Sequence, residues 1–108
     1  NILFNYGGQQ EIVHCFNSII KKMKENNDYK DNISEEEILK NLYCFDLPPV
    51  DLLVRTSGEK RISNCLLYEI AYAEFIFNDK YWPDYDDVAL SADLDEFLKR
   101  KRRFGGVV

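Results

Sequence analysis

The sequence predicts an α/β fold in which a parallel sheet is flanked by helices. Short apolar runs with strand character, segments with helical spacing and the alternation of the two along the chain support this class. Such alternation is typical of parallel strands joined by right-handed crossovers. The 108 residues show no internal repeat and no second domain.

The first half of the chain predicts a strand followed by two helices. Ile2-Leu3-Phe4 is a strand-like run, and the turn at Gly7-Gly8 precedes an amphipathic helix. The apolar stripe of that helix comprises Ile12, Val13, Phe16, Ile19, Ile20 and Met23. Residues 26–32 are polar and rich in asparagine, which predicts an exposed loop. Ser34 and Glu37 then form a capping box for a short helix.

The second half predicts two strands and two helices. Residues 50–55 form an apolar run that favours a parallel strand buried on both faces. A helix over residues 64–72 and a strand over residues 75–77 are expected next. A long helix is expected from residue 86 to about residue 103, with acidic residues near its start and basic residues near its end, as the helix dipole favours.

Composition narrows the class of function. The formal net charge of −5 argues against a nucleic-acid partner, because binding a phosphate backbone requires a net basic surface. Three cysteines without a CxxC pair, beside a single histidine, favour buried thiols of a reducing compartment over a zinc site. The sequence contains no apolar run of roughly 18 residues, the length that would predict a membrane span.

Residues 55–63, called the arginine loop below, predict an anion-binding site. The loop joins a strand to an expected helix, where free N–H groups favour a phosphate. It carries two guanidiniums, Arg55 and Arg61, together with Lys60, Gly58 and Ser63. Arginine forks suit bidentate phosphate contacts. The residues alone leave open a solvated turn whose charges face water.

Four motifs in order resemble the cis-prenyltransferases, the undecaprenyl and dehydrodolichyl diphosphate synthases. They are Asn5-Tyr6-Gly7-Gly8, the stretch PVDLLVRTSGEKRISNCLLYEIAYAEFIF at residues 49–77, Trp82-Pro83-Asp84-Tyr85 and Arg102-Arg103-Phe104-Gly105-Gly106. The resemblance implies that residues 1–108 are the C-terminal part of a single catalytic domain with the cis-prenyltransferase fold. The family's loop for the allylic diphosphate, with its Mg²⁺-binding aspartate, belongs to the N-terminal half and has no match in this sequence.

The activity implied by the resemblance is chain elongation. Isopentenyl diphosphate condenses with an allylic diphosphate such as farnesyl diphosphate, with Mg²⁺ as cofactor, to give long-chain cis-polyprenyl diphosphates for undecaprenol or dolichol synthesis. The implied protein is a cytoplasmic homodimer that meets membranes only peripherally, through its lipid product, at the cytosolic face (of the endoplasmic reticulum in a eukaryote). The 108 residues alone are expected to be inactive.

The same resemblance assigns the isopentenyl diphosphate site. Arg55, Arg61 and Ser63 correspond to the residues that bind the phosphates of isopentenyl diphosphate. Arg103 and Gly105 form an Arg-x-Gly element that in the family reaches the diphosphate site of a partner subunit. A basic helix end that satisfies the last carbonyl groups is the alternative for this element.

Two further residues are assigned to catalysis. Glu74 corresponds to the glutamate of the family's Ala-Tyr-x-Glu motif, which assists the binding of Mg²⁺ and isopentenyl diphosphate; a helix-terminal surface carboxylate is the alternative. Asn5 corresponds to the asparagine of the Asn-Tyr-Gly-Gly turn, where structural support is preferred over direct contact. Five apolar residues line a dimer interface or belong to the core: Leu66, Leu67, Ile70, Ala71 and Phe75.

Two other functions are weighed against the catalytic one. A non-catalytic partner subunit of a heteromeric cis-prenyltransferase has the same fold, but such subunits typically lose the arginines of the loop. This chain keeps Arg55, Arg61 and Ser63, which favours catalysis. An unrelated phosphate-binding module explains the arginine loop and leaves the other three motifs unexplained.

Overall fold

The computed structural model describes residues 1–107 and has the expected α/β architecture. Its elements are α1 (Gly8–Asn26), α2 (Glu35–Leu39), β1 (Leu52–Arg55), β2 (Glu74–Phe77), a 3₁₀ turn (Trp82–Asp84) and α3 (Asp87–Lys99). The two strands pair in parallel, with Leu52 opposite Glu74 and Arg55 opposite Phe77. The parallel pairing predicted from the sequence is thus confirmed.

The chain forms two compact units. The first contains residues 1–48 and 64–68, and the second contains residues 49–63 together with those from 69 onward. Helices α1 and α2 belong to the first unit, whereas β1, β2 and α3 belong to the second.

The first unit is built around one narrow face of α1. Cys15, Ile19 and Leu42 form its buried centre, and the partly buried Met23, Ile38 and Tyr68 pack against them. The predicted stripe on α1 is too wide, because Val13, Phe16 and Ile20 are exposed. Within this unit α1 packs against the five-residue α2, which covers only a narrow strip of its surface.

Glu11 and Cys15 lie on the buried face of α1. Glu11 is 2% exposed and accepts hydrogen bonds from the Tyr43 backbone N–H at 2.8 Å and from the Tyr6 hydroxyl. These two donors offset the cost of burying a carboxylate. Burial, and next the nearby Glu11, raise the pKa of the Cys15 thiol, which donates to the Ile38 carbonyl at 3.5 Å. Cys15 is therefore a buried thiol, as expected, whereas Cys44 and Cys65 are only half-buried.

The helix ends of the first unit follow from local hydrogen bonds. The capping box is confirmed, since Ser34 Oγ accepts from the Glu37 N–H at 3.2 Å and the Ser34 N–H donates to Glu37 Oε2 at 3.1 Å. Helix α1 ends at Asn26, because the next residue, Asn27, has a left-handed φ of 48°. The expected strand over residues 2–4 is not formed, and residues 1–5 are exposed. Residues 26–32 are exposed as predicted.

The helix expected over residues 64–72 is wrong, because this segment forms a series of turns. Asn64 and Leu66 have left-handed φ values of 64° and 47°, which a right-handed helix does not tolerate. The Asn64 carbonyl accepts from the Gly8 N–H at 2.7 Å, so it is used by α1 rather than by a helix of its own.

The second unit packs α3 against β2. Asp86 caps α3 by accepting from the Ala89 N–H at 2.9 Å, as the predicted start requires. The helix ends at Lys99 rather than near residue 103, because Arg100 has extended backbone angles. All four residues of β1 are half-buried, so the expectation of burial on both faces is also wrong. Ile70, Ile76 and Ala89 are the buried aliphatic residues among the described residues of this unit.

Candidate active site

The arginine loop begins with a tight turn at the end of β1. Ser57 and Gly58 both adopt left-handed conformations, with φ values of 69° and 68°. The Ser57 N–H donates to the Lys80 carbonyl at 2.7 Å, and the Gly58 N–H donates to the Asn78 carbonyl at 3.1 Å. The turn is thereby tied to the segment that follows β2. Gly58 suits this conformation because glycine carries no Cβ.

The charged groups of this loop are open to a ligand. Arg61 pairs with Glu59 at 2.5 Å, and both side chains are largely exposed. Within residues 1–107, the half-buried Arg55 guanidinium and the Lys60 ammonium have no hydrogen-bonded or ionic partner. The backbone N–H groups of residues 59–62 likewise donate to no other described residue. An anion can therefore be held here by guanidiniums and backbone donors together.

One part of the anion-binding prediction requires correction. Ser63 and Asn64 both have left-handed φ values, and the residues after them form turns. No helix begins at the end of the loop, so no helix dipole supports a phosphate there. The exposed Ser63 keeps its hydroxyl available at this end.

Glu74 is the first residue of β2, which excludes the alternative that it terminates a helix. Its Oε2 accepts from Arg100 Nη1 at 3.0 Å, and the same nitrogen donates to the Phe75 carbonyl at 2.9 Å. Hydrogen bonds to Glu96, and next to Glu74, raise the pKa of Arg100. Sequence reasoning missed Arg100, although the spacing of Glu96 and Arg100 is that of a helical ion pair.

The segment that carries the Arg-x-Gly element is held in place by the contacts of Arg102, which directly precedes this element. Arg102 Nη2 donates to the Tyr72 carbonyl at 3.1 Å, and Nη1 donates to Asp51. Its guanidinium carbon lies 4.4 Å from the centre of the Phe104 ring, within the range of a cation–π contact. Gly105 has a left-handed φ of 78°. Arg103 itself is exposed and has no side-chain partner within the described residues.

Asn5 lies in the first unit, at a polar cleft of about 350 Å³. The cleft is lined by Asn5, Tyr6, Gly7, Gln10, Tyr43 and Asn64. Asn5 is exposed and has a left-handed φ of 49°. Its neighbour Gly8 is required by close packing, since a Cβ there would lie 2.7 Å from Leu67 Cγ. The second glycine of the Asn-Tyr-Gly-Gly motif is thus explained by close packing.

The predicted site residues of the second unit fall at two ends of the sheet. Arg55 ends β1, whereas Glu74 begins β2, and their register partners are three residues apart along the parallel strands. Three residues correspond to about 10 Å of strand. Arg61 and Ser63 follow Arg55 in the chain. At the other end of the sheet, Arg100 bonds to Glu74 and Arg102 bonds to Asp51. The structure therefore does not bring all the expected site residues into one cluster.

The residues predicted to line a dimer interface differ in how deeply they are buried. Ile70 is buried inside the second unit, which removes it from any interface. Leu66, Leu67 and Phe75 are half-buried, and Ala71 is exposed. Large apolar side chains are exposed elsewhere in the second unit, including Trp82 and Leu98 at 73% and 75%.

Comparison with known proteins identifies the family. A prenyltransferase family model, described as "Putative undecaprenyl diphosphate synthase", matches residues 1–105. The chain belongs to this prenyltransferase family. It is 50% identical over 107 residues to an isoprenyl transferase of Fusobacterium nucleatum, covering 99% of this chain and 44% of that protein. It is 45% identical over 106 residues to the Escherichia coli K12 ditrans,polycis-undecaprenyl-diphosphate synthase that is specific for (2E,6E)-farnesyl diphosphate, covering 98% and 42%.

Solved structures agree with this membership. Lavandulyl diphosphate synthase from Lavandula x intermedia, solved with dimethylallyl diphosphate, superposes with a TM-score of 0.85 at 33% identity, covering 93% of this chain and 43% of that one. A "probable undecaprenyl diphosphate synthase" of Campylobacter jejuni gives a TM-score of 0.79 at 31% identity, covering 94% and 45%. The chain therefore spans less than half the length of the relatives that it matches.

Two features of the described residues concern a metal cofactor and a membrane-spanning helix. Residues 1–107 contain no group of three or more His, Cys, Asp or Glu side chains arranged to hold a metal ion. None of their helices has the length and apolar character that a membrane crossing requires.

Proposed function

We propose that this chain supplies the isopentenyl diphosphate site of a cis-prenyltransferase, which condenses isopentenyl diphosphate with an allylic diphosphate to build a long-chain cis-polyprenyl diphosphate. The observation that carries the proposal is the arginine loop, where, among residues 1–107, the Arg55 side chain has no partner and Arg61 pairs only with Glu59 of the same loop. Membership of the family and the names of the relatives support the reaction class.

The role of the loop is to anchor one of the two reactants. Arg55, Arg61 and the Ser63 hydroxyl bind the diphosphate of isopentenyl diphosphate, and the free N–H groups of residues 59–62 add donors. Anchoring fixes the double bond of isopentenyl diphosphate for attack on the allylic carbon, which loses its own diphosphate, and the isopentenyl unit then loses a proton to form the new double bond. Holding both reactants in place contributes part of the rate advantage over solution, up to about 7–11 kcal/mol in favourable cases. The solved lavandulyl diphosphate synthase holds a prenyl diphosphate ligand, dimethylallyl diphosphate.

Mg²⁺ is expected from the family but does not fit the described residues alone. Glu74 is the one carboxylate that the resemblance assigns to the metal, and it is paired with Arg100. The described residues offer no group of further ligands around it. We therefore derive no step through Mg²⁺. Glu74 is assigned the weaker role of a carboxylate oriented by Arg100.

The position of Glu74 and Arg103 supports a homodimer. Glu74 and Arg103 both lie at the end of the sheet opposite to Arg55. We therefore propose that Arg103 and Gly105 contact the arginine loop of a second subunit. Arg102 holds this element through Asp51 and Tyr72 while leaving Arg103 exposed. The exposed apolar side chains of the second unit are consistent with a covered surface. Asn5 is assigned structural support of the turn before α1.

The reaction is tested with the complete enzyme that carries this sequence. Labelled isopentenyl diphosphate and farnesyl diphosphate are supplied together with Mg²⁺, and the extracted lipid products are separated by chain length. Incorporation of several labelled units into one product supports the proposal. Binding of isopentenyl diphosphate without incorporation, even with Mg²⁺ and farnesyl diphosphate present, would instead favour the non-catalytic partner subunit. The partner subunit is expected to restore incorporation only when a catalytic chain is added.

A further inference from the structure

Asn78 is the residue around which the arginine loop closes. Its backbone N–H donates to the Arg55 carbonyl at 2.8 Å, and its carbonyl accepts from the Gly58 N–H at 3.1 Å. One residue thus bonds both ends of the turn that contains Ser57 and Gly58. A change in the conformation of this turn breaks at least one of the two bonds.

The side chain of Asn78 continues the same connection. Its Oδ1 accepts from the Lys80 N–H at 2.9 Å, and the Lys80 carbonyl in turn accepts from the Ser57 N–H at 2.7 Å. Its Nδ2 donates to Asp93 Oδ2 at 3.0 Å. All four polar groups of Asn78 therefore form hydrogen bonds. The backbone N–H and carbonyl bond directly to the arginine loop, Oδ1 is connected to the loop through Lys80, and Nδ2 bonds to α3.

Asp93 anchors Asn78 to the helix. It lies on α3 with 8% of its surface exposed, and the same Oδ2 accepts from the Tyr85 hydroxyl at 2.8 Å. A buried carboxylate is stable only when donors satisfy it, and Asn78 and Tyr85 are those donors. Burial, and then the hydrogen bond to Asp93, raise the pKa of Tyr85 to about 12, so its hydroxyl remains a donor.

We propose that Asn78 and Asp93 are positioning residues for diphosphate binding, which hold the arginine loop in the conformation that presents Arg55 and Arg61 to isopentenyl diphosphate. The inference rests on the function proposed above. The loop has little restraint of its own, because the Arg55 guanidinium has no described partner and Arg61 bonds within the loop. A loop that is ordered before binding loses less entropy when the ligand arrives.

The test exchanges the two side chains in the complete enzyme. Asn78→Asp keeps the oxygen that accepts from Lys80 but places a second carboxylate against Asp93. The double variant Asn78→Asp/Asp93→Asn restores a donor and an acceptor in reversed order. Asp95→Asn is the matched control, because Asp95 lies on the same helix, is exposed and its side chain has no hydrogen bond to another described residue.

The measurements are KM for isopentenyl diphosphate, KM for farnesyl diphosphate, kcat and the thermal midpoint. We expect Asn78→Asp to raise KM for isopentenyl diphosphate about tenfold, since small misplacements of binding groups have effects of this size. The KM for farnesyl diphosphate stays within about twofold, and the double variant recovers most of the loss in affinity, as coupled partners do. Asp95→Asn behaves as the unaltered enzyme.

A purely structural role gives a different pattern. Asn78→Asp then lowers the thermal midpoint while KM for isopentenyl diphosphate is unchanged, which overturns the inference. Asn78→Ser serves if the first variant does not fold, since its shorter side chain lacks the amide donor to Asp93 while its hydroxyl oxygen can still accept from the Lys80 N–H; an unchanged KM in it also overturns the inference. Arg55→Ala is measured alongside. If it also leaves KM unchanged, the proposed function fails; if it raises KM while the Asn78 variants do not, only the inference fails.

Discussion

Asn64 caps the amino terminus of α1 from a distant position in the sequence. Its Oδ1 accepts from the Gln9 N–H at 2.9 Å, and its carbonyl accepts from the Gly8 N–H at 2.7 Å. The residue that precedes the helix, Gly7, offers no side-chain cap. Two of the free donors at the start of α1 are therefore satisfied by the segment that directly follows the arginine loop.

Removing this cap is expected to destabilise the protein. Asn64→Ala loses the side-chain acceptor for Gln9, and caps of this kind contribute about 1 kcal/mol. We expect the thermal midpoint of the complete enzyme to fall by about 2–4 °C. Asn64→Asp retains an acceptor and should lose less. Asn32→Ala, an exposed loop residue without a hydrogen bond to another described residue, is the control. Equal midpoints for Asn64→Ala and Asn32→Ala would contradict the capping role.

The sequence predicts the parts of the fold that depend on local pattern. The capping box of Ser34 and Glu37, the start of α3 after Asp86 and the parallel pairing of β1 with β2 were all expected and are confirmed. Each is encoded within a few neighbouring residues or in one apolar run.

The remaining features depend on contacts between distant residues. The segment after Ser63 has apolar spacing typical of a helix, yet the Asn64 carbonyl bonds to Gly8, and the left-handed Leu66 prevents helical continuation. Asp93 looks like an ordinary exposed helix residue until Asn78 and Tyr85 are seen to bond to it. A single sequence does not show which distant donor will meet a given carbonyl or carboxylate.

The arginines of the loop are expected to bind isopentenyl diphosphate in the complete enzyme. Arg55→Ala or Arg61→Ala removes one charge-assisted phosphate contact, whose loss costs about 1.5–3 kcal/mol, or about ten- to a hundredfold in kcat/KM. Most of the change should appear in KM for isopentenyl diphosphate. Substitution by lysine should recover only part, because the two-pronged contact is lost. Lys101→Ala changes an exposed cation at the other end of the second unit and serves as control. Unaltered kinetics in both arginine variants would refute the assignment.

Tyr85 gives a pH-dependent signal of its contact with Asp93. Burial is the main cause that raises the pKa of this phenol from 10.0 to about 12. Because the pKa is raised in the folded state, the stability that this group contributes is complete below pH 10 and is lost as the pH rises towards 12. Burial also raises the pKa of Tyr68. Absorbance of the phenolate should therefore show Tyr85 among the tyrosines that titrate late, and Tyr85→Phe should reduce the late step by one phenol. A late step of unchanged size in Tyr85→Phe would show that another residue produces it.

Self-association is expected from the exposed apolar side chains of the second unit, Trp82 and Leu98 among them. The complete enzyme should sediment as a dimer at micromolar concentration, and its mass should not change across a tenfold dilution if the interface is of the stable kind. A single monomeric species throughout the dilution series would exclude the homodimer.

The last prediction asks in which subunit Arg103 acts. Arg103→Ala and Arg55→Ala are each expected to reduce activity as homodimers. When the two impaired enzymes are unfolded together in equal amounts and refolded as a mixture, half of the dimers contain one chain of each kind. If Arg103 serves the partner, one of the two sites in such a dimer has an intact loop and an intact Arg-x-Gly element, and about a quarter of the unaltered activity returns. If Arg103 serves its own chain, every site carries one defect and no activity returns. Refolding each variant alone controls for losses in the procedure. Arg103 is exposed, has no side-chain partner among residues 1–107, and is held in place by Arg102 at the sheet end opposite to Arg55, which leads us to expect recovery.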